Sequence, residues 1–131
     1  MPAHSFCRHS LAALALLFVA WPVAADDGPA VESVATGLQF PEGTIFVGST
    51  LYFVDYATSK VLRLGRDGGV QTVWQQPGRG ANGLVQTSCG LLVACYDSGV
   101  VSEITLDGRL LATIAADDSS QPFLCPNDLT A

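Results

Sequence analysis

Three short steps along the chain place an oxygen-bearing side chain in similar company: Pro41-Glu42-Gly43, Ala81-Asn82-Gly83 and Pro126-Asn127-Asp128-Leu129. One carboxylate and two amides in such settings have two readings. Gly, Asn and Pro dominate turns, so each step taken singly reads as turn chemistry. Taken together, a carboxylate oxygen and amide oxygens form a hard-oxygen set of the kind calcium prefers. The choice between them depends on whether the fold brings the three steps together.

The spacing says that it does. Shifting the sequence by forty residues lays Leu51 on Leu91, Tyr56 on Tyr96, Val61 on Val101, Asp67-Gly68 on Asp107-Gly108 and Gly43 on Gly83. Apolar and polar classes match between these identities. Each repeat contains four runs rich in Val, Ile, Leu, Tyr and Phe, and an Asp-Gly hairpin signal precedes the fourth run. Strands are predicted over 43–48, 51–56, 60–65 and 70–75, and again over 83–87, 91–97, 100–105 and 110–115. No stretch sustains a helical period. Four strands per forty residues is the signature of a β-propeller blade, and a plain β-sandwich would not need the repeat. The fold class is therefore all-β: two four-stranded blades and the start of a third. Glu42, Asn82 and Asn127 then lie in the loops leading into the innermost strands, which surround the central channel. That recurrence favours metal ligation for Glu42 and Asn127. Asn82 either joins the ligands or only lines the channel.

Composition narrows the chemistry. The chain carries six basic and twelve acidic side chains, a net charge of −6, and no basic stripe, which excludes a nucleic-acid partner. Residues 1–25 read as a secretory signal peptide: Arg8, then an apolar run from Leu11 to Ala20, then Val23-Ala24-Ala25 as a small-residue cleavage site. That run is shorter than the roughly 20 residues a membrane span needs, so a secreted or periplasmic protein free of the membrane is expected. Residues 26–37 form a lead-in, and the propeller domain covers 38–131. His4 and His9, the only histidines, fall within the signal peptide, which removes Ser-His and Cys-His catalysis. Cys89, Cys95 and Cys125 leave an odd thiol. Cys89 and Cys95 would stand about 20 Å apart in an extended run, too far to pair. They read as small buried hydrophobes or as one incidental bridge to Cys125.

Phe40-Pro41-Glu42-Gly43, "LYFVDYATSKVLRL", Asn82-Gly83-Leu84 with "CGLLVACYDSGVV", and Pro126-Asn127-Asp128-Leu129 together resemble the senescence-marker-protein/gluconolactonase, or regucalcin-like, family. The resemblance implies a six-bladed propeller with a divalent metal in its channel, commonly Ca2+ (Zn2+ or Mn2+ as the other choices), acting on small-molecule lactones or related esters. It implies that Glu42 is the first metal-ligating glutamate and that Asn127 contacts metal or substrate. Asp128 matches a structural hydrogen-bonding acid. With two blades and part of a third, the sequence is expected to be the N-terminal part of such an enzyme, inactive alone, with its catalytic base unknown. A non-catalytic propeller that binds a ligand or partner is the alternative. Arg79, ahead of Asn82, reads as a solvated loop charge or as a donor to a substrate carboxylate. Asp55 and Asp97 read as turn-capping acids. Ser98 and Ser102 have no base to activate them, and "PGRGANG" lacks the Lys-Ser/Thr of a phosphate loop.

Overall fold

A computed structural model describes residues 28–130; the signal-peptide reading, and with it Arg8, Cys7, His4 and His9, lies outside them. Glu32–Ala131 forms one unit, built from two four-stranded antiparallel sheets, each in simple sequential order. The first holds β1 (Pro41–Val47), β2 (Thr50–Asp55), β3 (Lys60–Leu64) and β4 (Val70–Gln75). The second holds β5 (Ala81–Gln86), β6 (Leu91–Cys95), β7 (Val100–Ile104) and β8 (Leu110–Ile114). These are the two predicted blades. Their hairpins follow from the turn chemistry: Gly68 and Gly108 take φ of 79° and 91° in the Asp-Gly turns, which any side chain would strain. Among the described residues no helix is long and apolar enough to cross a membrane.

Three boundaries differ from the expectation. The innermost strands begin at Pro41 and Ala81, two residues early, so Glu42 and Asn82 sit within strands and not in loops ahead of them. A bulge in each strand is the cause: Glu42 pairs with Val54 and Ile45 with Tyr52, while Ala81 pairs with Cys95 and Leu84 with Val93. One extra residue on the inner strand lets the chain before the glycine rejoin the ladder. Next, a single 3-10 turn, Tyr56–Thr58, follows β2 where no helix was expected. Its buried Asp55 makes no side-chain bond to the backbone N–H groups of the turn; it accepts instead from the Gln39 backbone N–H at 2.9 Å and from Thr58 Oγ1 at 2.9 Å, tying the lead-in to the turn. Last, Pro126–Leu129 carries no strand, and an isolated bridge joins Ala116 to Pro122 ahead of it.

Burial runs from the middle strands outward. Val54, Val61, Leu91, Val93 and Ile104 are fully enclosed and pack with Tyr52, Trp74 and Leu84 into one cluster that spans both sheets. The sheets meet through β1 and β2 against β5, so inner strands are neighbours, as blades require. β8, on the outside, is exposed throughout. β1 is largely exposed as well, since β5 covers it on one side only. All three described cysteines are free thiols: Cys95 is buried, its pKa raised by that burial, whereas Cys89 and Cys125 are exposed and not the small buried hydrophobes expected.

The repeat is not used evenly. A Cβ at Gly108 would run into the carbonyl oxygen of Val73 on the neighbouring sheet, whereas one at Gly68, the equivalent position, would meet nothing within 4 Å. Both glycines have positive φ, so alanine at either carries the left-handed penalty of about 1–2 kcal/mol. Only Gly108→Ala also forces the blades apart. Urea denaturation should show Gly108→Ala losing about 3 kcal/mol and Gly68→Ala about 1; equal losses would mean that the blades do not lean on this contact.

Candidate functional site

The bulged starts of β1 and β5 do more than shift register. Gly43 has φ of 53°, and a Cβ there would collide with the carbonyl oxygen of Asn82. Gly83 repeats the arrangement one blade on: its Cβ would lie 2.7 Å from the carbonyl oxygen of Asn127 and 2.8 Å from the Cα of Asp128. In each repeat the glycine that follows the oxygen donor is thus the surface on which the next donor's backbone rests. Backbones approach this closely only where no side chain intervenes.

The consequence is convergence. Glu42, Asn82, Asn127 and Asp128 line one cleft of about 300 Å3, floored by Gly43 and Gly83. Asn82 is buried at its inner side, while Glu42, Asn127 and Asp128 are exposed at its rim. Glu42 also borders a second, apolar cleft of about 290 Å3 walled by Val34, Leu38, Leu51 and Phe53. Asp128 is the addition that sequence reasoning did not place here. Its Oδ1 accepts from the Leu129 N–H at 2.9 Å, a structural bond as expected, but its carboxylate also faces the cleft. The signal available was adjacency to Asn127. Among the described residues no group of three His, Cys, Asp or Glu side chains is placed to hold a metal, so any cation here depends on amide oxygens beside the carboxylates.

Arg79 does not join this set. Its guanidinium lies against the Gln76 side-chain amide, whose oxygen, with the amide turned to face it, accepts at 3.2 and 3.3 Å, and its carbonyl accepts from the Asp97 N–H at 3.1 Å. Ser102 is buried beside Cys95, 3.5 Å from its sulfur, and Ser98 bonds backbone carbonyls; neither lines the cleft. Asp97 is more than a turn acid: its Oδ1 accepts from Tyr56 Oη at 2.8 Å, linking the two blades, and the Tyr56 and Tyr96 rings meet edge-on with centroids 6.3 Å apart. Both tyrosines follow the second strand of their blade, on the end where Glu42 and Asn82 lie. Gly80 makes room for this link, since a Cβ there would stand 2.6 Å from the Asp97 carboxyl carbon.

The family profile described as the SMP-30/gluconolactonase/LRE-like region matches residues 40–131. No curated protein matches the chain. A crystal structure of a calcium-binding protein, regucalcin, from Agrobacterium tumefaciens superimposes with a TM-score of 0.49 at 22% identity, over 58% of this chain and 30% of that one.

The Tyr56–Asp97 link has a pH signature. The hydrogen bond to Asp97 raises the Tyr56 pKa above its ordinary 10.0, helped by some desolvation and by the negative charges of Asp97 and Glu42. Because the folded value is the higher one, the stabilisation is fully present below the usual tyrosine range and is lost as pH rises through the raised value. A tyrosinate absorbance titration should show one tyrosine ionising late. Asp97→Asn should bring it down toward the ordinary value; a titration unmoved by that change would mean the bond is not formed in solution.

Proposed function

We propose that this chain, which belongs to the SMP-30/gluconolactonase/LRE-like family, carries part of the metal centre of an exported hydrolase that opens small lactones or related esters. One observation carries the reading: oxygen donors from three successive repeats, Glu42, Asn82 and Asn127, border the same polar cleft. The donors suit a hard divalent cation. They are all oxygens, they mix charge with neutral amide, and glycines keep the floor clear. This set favours Ca2+ over Zn2+, which takes nitrogen and sulfur ligands by preference.

Glu42 and Asn127 would hold the ion, with Asn82 at its inner side and Asp128 adding a second negative charge at the rim. A bound divalent cation supplies a Lewis acid that polarises the ester carbonyl and makes water more acidic. The chain's own residues would bind and orient: the side-chain amides of Asn82 and Asn127 would donate to substrate oxygens, and the apolar cleft bordered by Glu42 would receive the apolar part of the substrate. The four side chains carry six oxygens, the lower end of the 6–8 that calcium takes, and none is left over to act as a base, so the 131 residues alone are expected to give no turnover. Export rests on the signal peptide read in residues 1–25, and the mature protein would begin at Asp26.

The second reading is a propeller that binds a ligand without turnover; residues 26–131 hold no imidazole to serve as a base. Calorimetric titration of the full-length protein with Ca2+ and a lactone panel with and without chelator decide the matter. Glu42→Gln should weaken Ca2+ binding more than about tenfold, a loss of about 1.4 kcal/mol. Asn127→Ala should harm turnover more than affinity, and Asn82→Ala should be the mildest. Chelator-resistant hydrolysis would sink the metal mechanism, while tight binding without hydrolysis would select the ligand-binding protein.

A further inference from the structure

Two residues ahead of each oxygen donor the backbone turns left-handed. φ is 60° at Phe40, 65° at Gly80 and 51° at Cys125, at one common offset from Glu42, Asn82 and Asn127. Gly80 takes this conformation freely. For a bulky residue it is an outlier, and Phe40 gains no compensating burial, being 71% exposed. Cys125 is exposed and unpaired. Strain of this kind persists only where the surroundings over-determine it.

The surroundings do so in the same way twice. The Phe40 carbonyl accepts from the Tyr56 N–H at 3.1 Å, and the Gly80 carbonyl from the Tyr96 N–H at 2.9 Å. One residue earlier, the Gln39 carbonyl accepts from the Ala57 N–H at 3.3 Å, as that of Arg79 does from the Asp97 N–H at 3.1 Å. After the left-handed residue comes Pro41 or Pro126, whose ring locks φ near −65° and leaves little freedom before the donor. Neighbouring strand residues point to opposite faces, so the twist set at Phe40 decides which face residue 42 presents.

We infer that the left-handed residue is a positioning device: the backbone conformation of Phe40 and Cys125, not their side chains, aims Glu42 and Asn127 into the shared cleft, as Gly80 does for Asn82. Its effect on cation affinity rests on the metal reading above; the aiming itself does not. Two measurements on the full-length protein separate them. In Phe40→Val, β-branching disfavours positive φ, and a metal-free crystal structure should show the Glu42 carboxylate out of the cleft. In Phe40→Gly and Phe40→Asn, both tolerant of this conformation, it should stay in place. Ca2+ affinity should fall about tenfold in Phe40→Val and Cys125→Val and remain within about threefold of the parent in Phe40→Gly, Phe40→Asn and Cys125→Gly. The inference is overturned if Glu42 keeps its place in Phe40→Val, or if Gly and Asn disturb it as much as Val does. A parent protein that binds no Ca2+ while Phe40→Val still displaces Glu42 would remove the metal reading and leave the positioning role standing.

Discussion

The structure depends on a contact with no side chain in it: the backbone of one blade's innermost strand resting on the glycine of the blade before. At Gly43 that visitor is the carbonyl of Asn82, and at Gly83 it is the carbonyl of Asn127 with the Cα of Asp128. Because each glycine immediately follows an oxygen donor, the contact that sets blade spacing also sets donor spacing. Packing and site geometry are therefore one constraint. A larger residue at 43 or 83 would widen the blade step and part the donors in the same movement, which is why a substitution there cannot be read as a purely structural change.

The same close approach recurs further out, between the Gly108 hairpin and Val73. Inner and outer contacts together fix the angle between the sheets, and the apolar cluster of Val54, Val61, Leu91, Val93 and Ile104 fills the wedge they enclose. Enclosing those five aliphatic side chains contributes on the order of 10 kcal/mol at roughly 2 kcal/mol each, before chain entropy opposes it. Rim links such as Tyr56–Asp97 are solvated and add little by comparison. They orient loops on a frame the core has already set.

Much of this was legible in the sequence because it is written at a fixed period. Tyr56 and Tyr96, Asp67-Gly68 and Asp107-Gly108, and Gly43 and Gly83 fall forty residues apart, and both sheets follow in the strand order that this register implies. The period also pairs Glu42 with Asn82, whereas Asn127, 45 residues after Asn82, was legible from its Pro-Asn-Asp-Leu motif. What periodicity does not carry is the local conformation that breaks it. The bulges place Glu42 and Asn82 inside strands, and in the first of them Gly43 takes a positive φ that a glycine permits without announcing. Phe40 and Cys125 hide the same turn behind residues that rarely make it. Sequence proximity to Asn82 says nothing about direction, and the Arg79 guanidinium lies against Gln76 and outside the cleft lining.

The distribution of charge within the cleft follows a simple electrostatic rule. The buried inner position holds Asn82, a neutral amide, and both carboxylates, Glu42 and Asp128, stand at the exposed rim. A carboxylate at the inner position would lose its hydration with no cation of the chain beside it, a cost of several kcal/mol. At the rim, water stabilises the charge until a ligand displaces it. Among the described residues no side-chain polar atom is both buried and unpartnered, so the cleft carries no standing debt of desolvation. A cleft organised in this way keeps its negative charge at the rim without burying any of it. The ordering, amide within and acid without, lets one short repeat pack closely and still border a polar cleft.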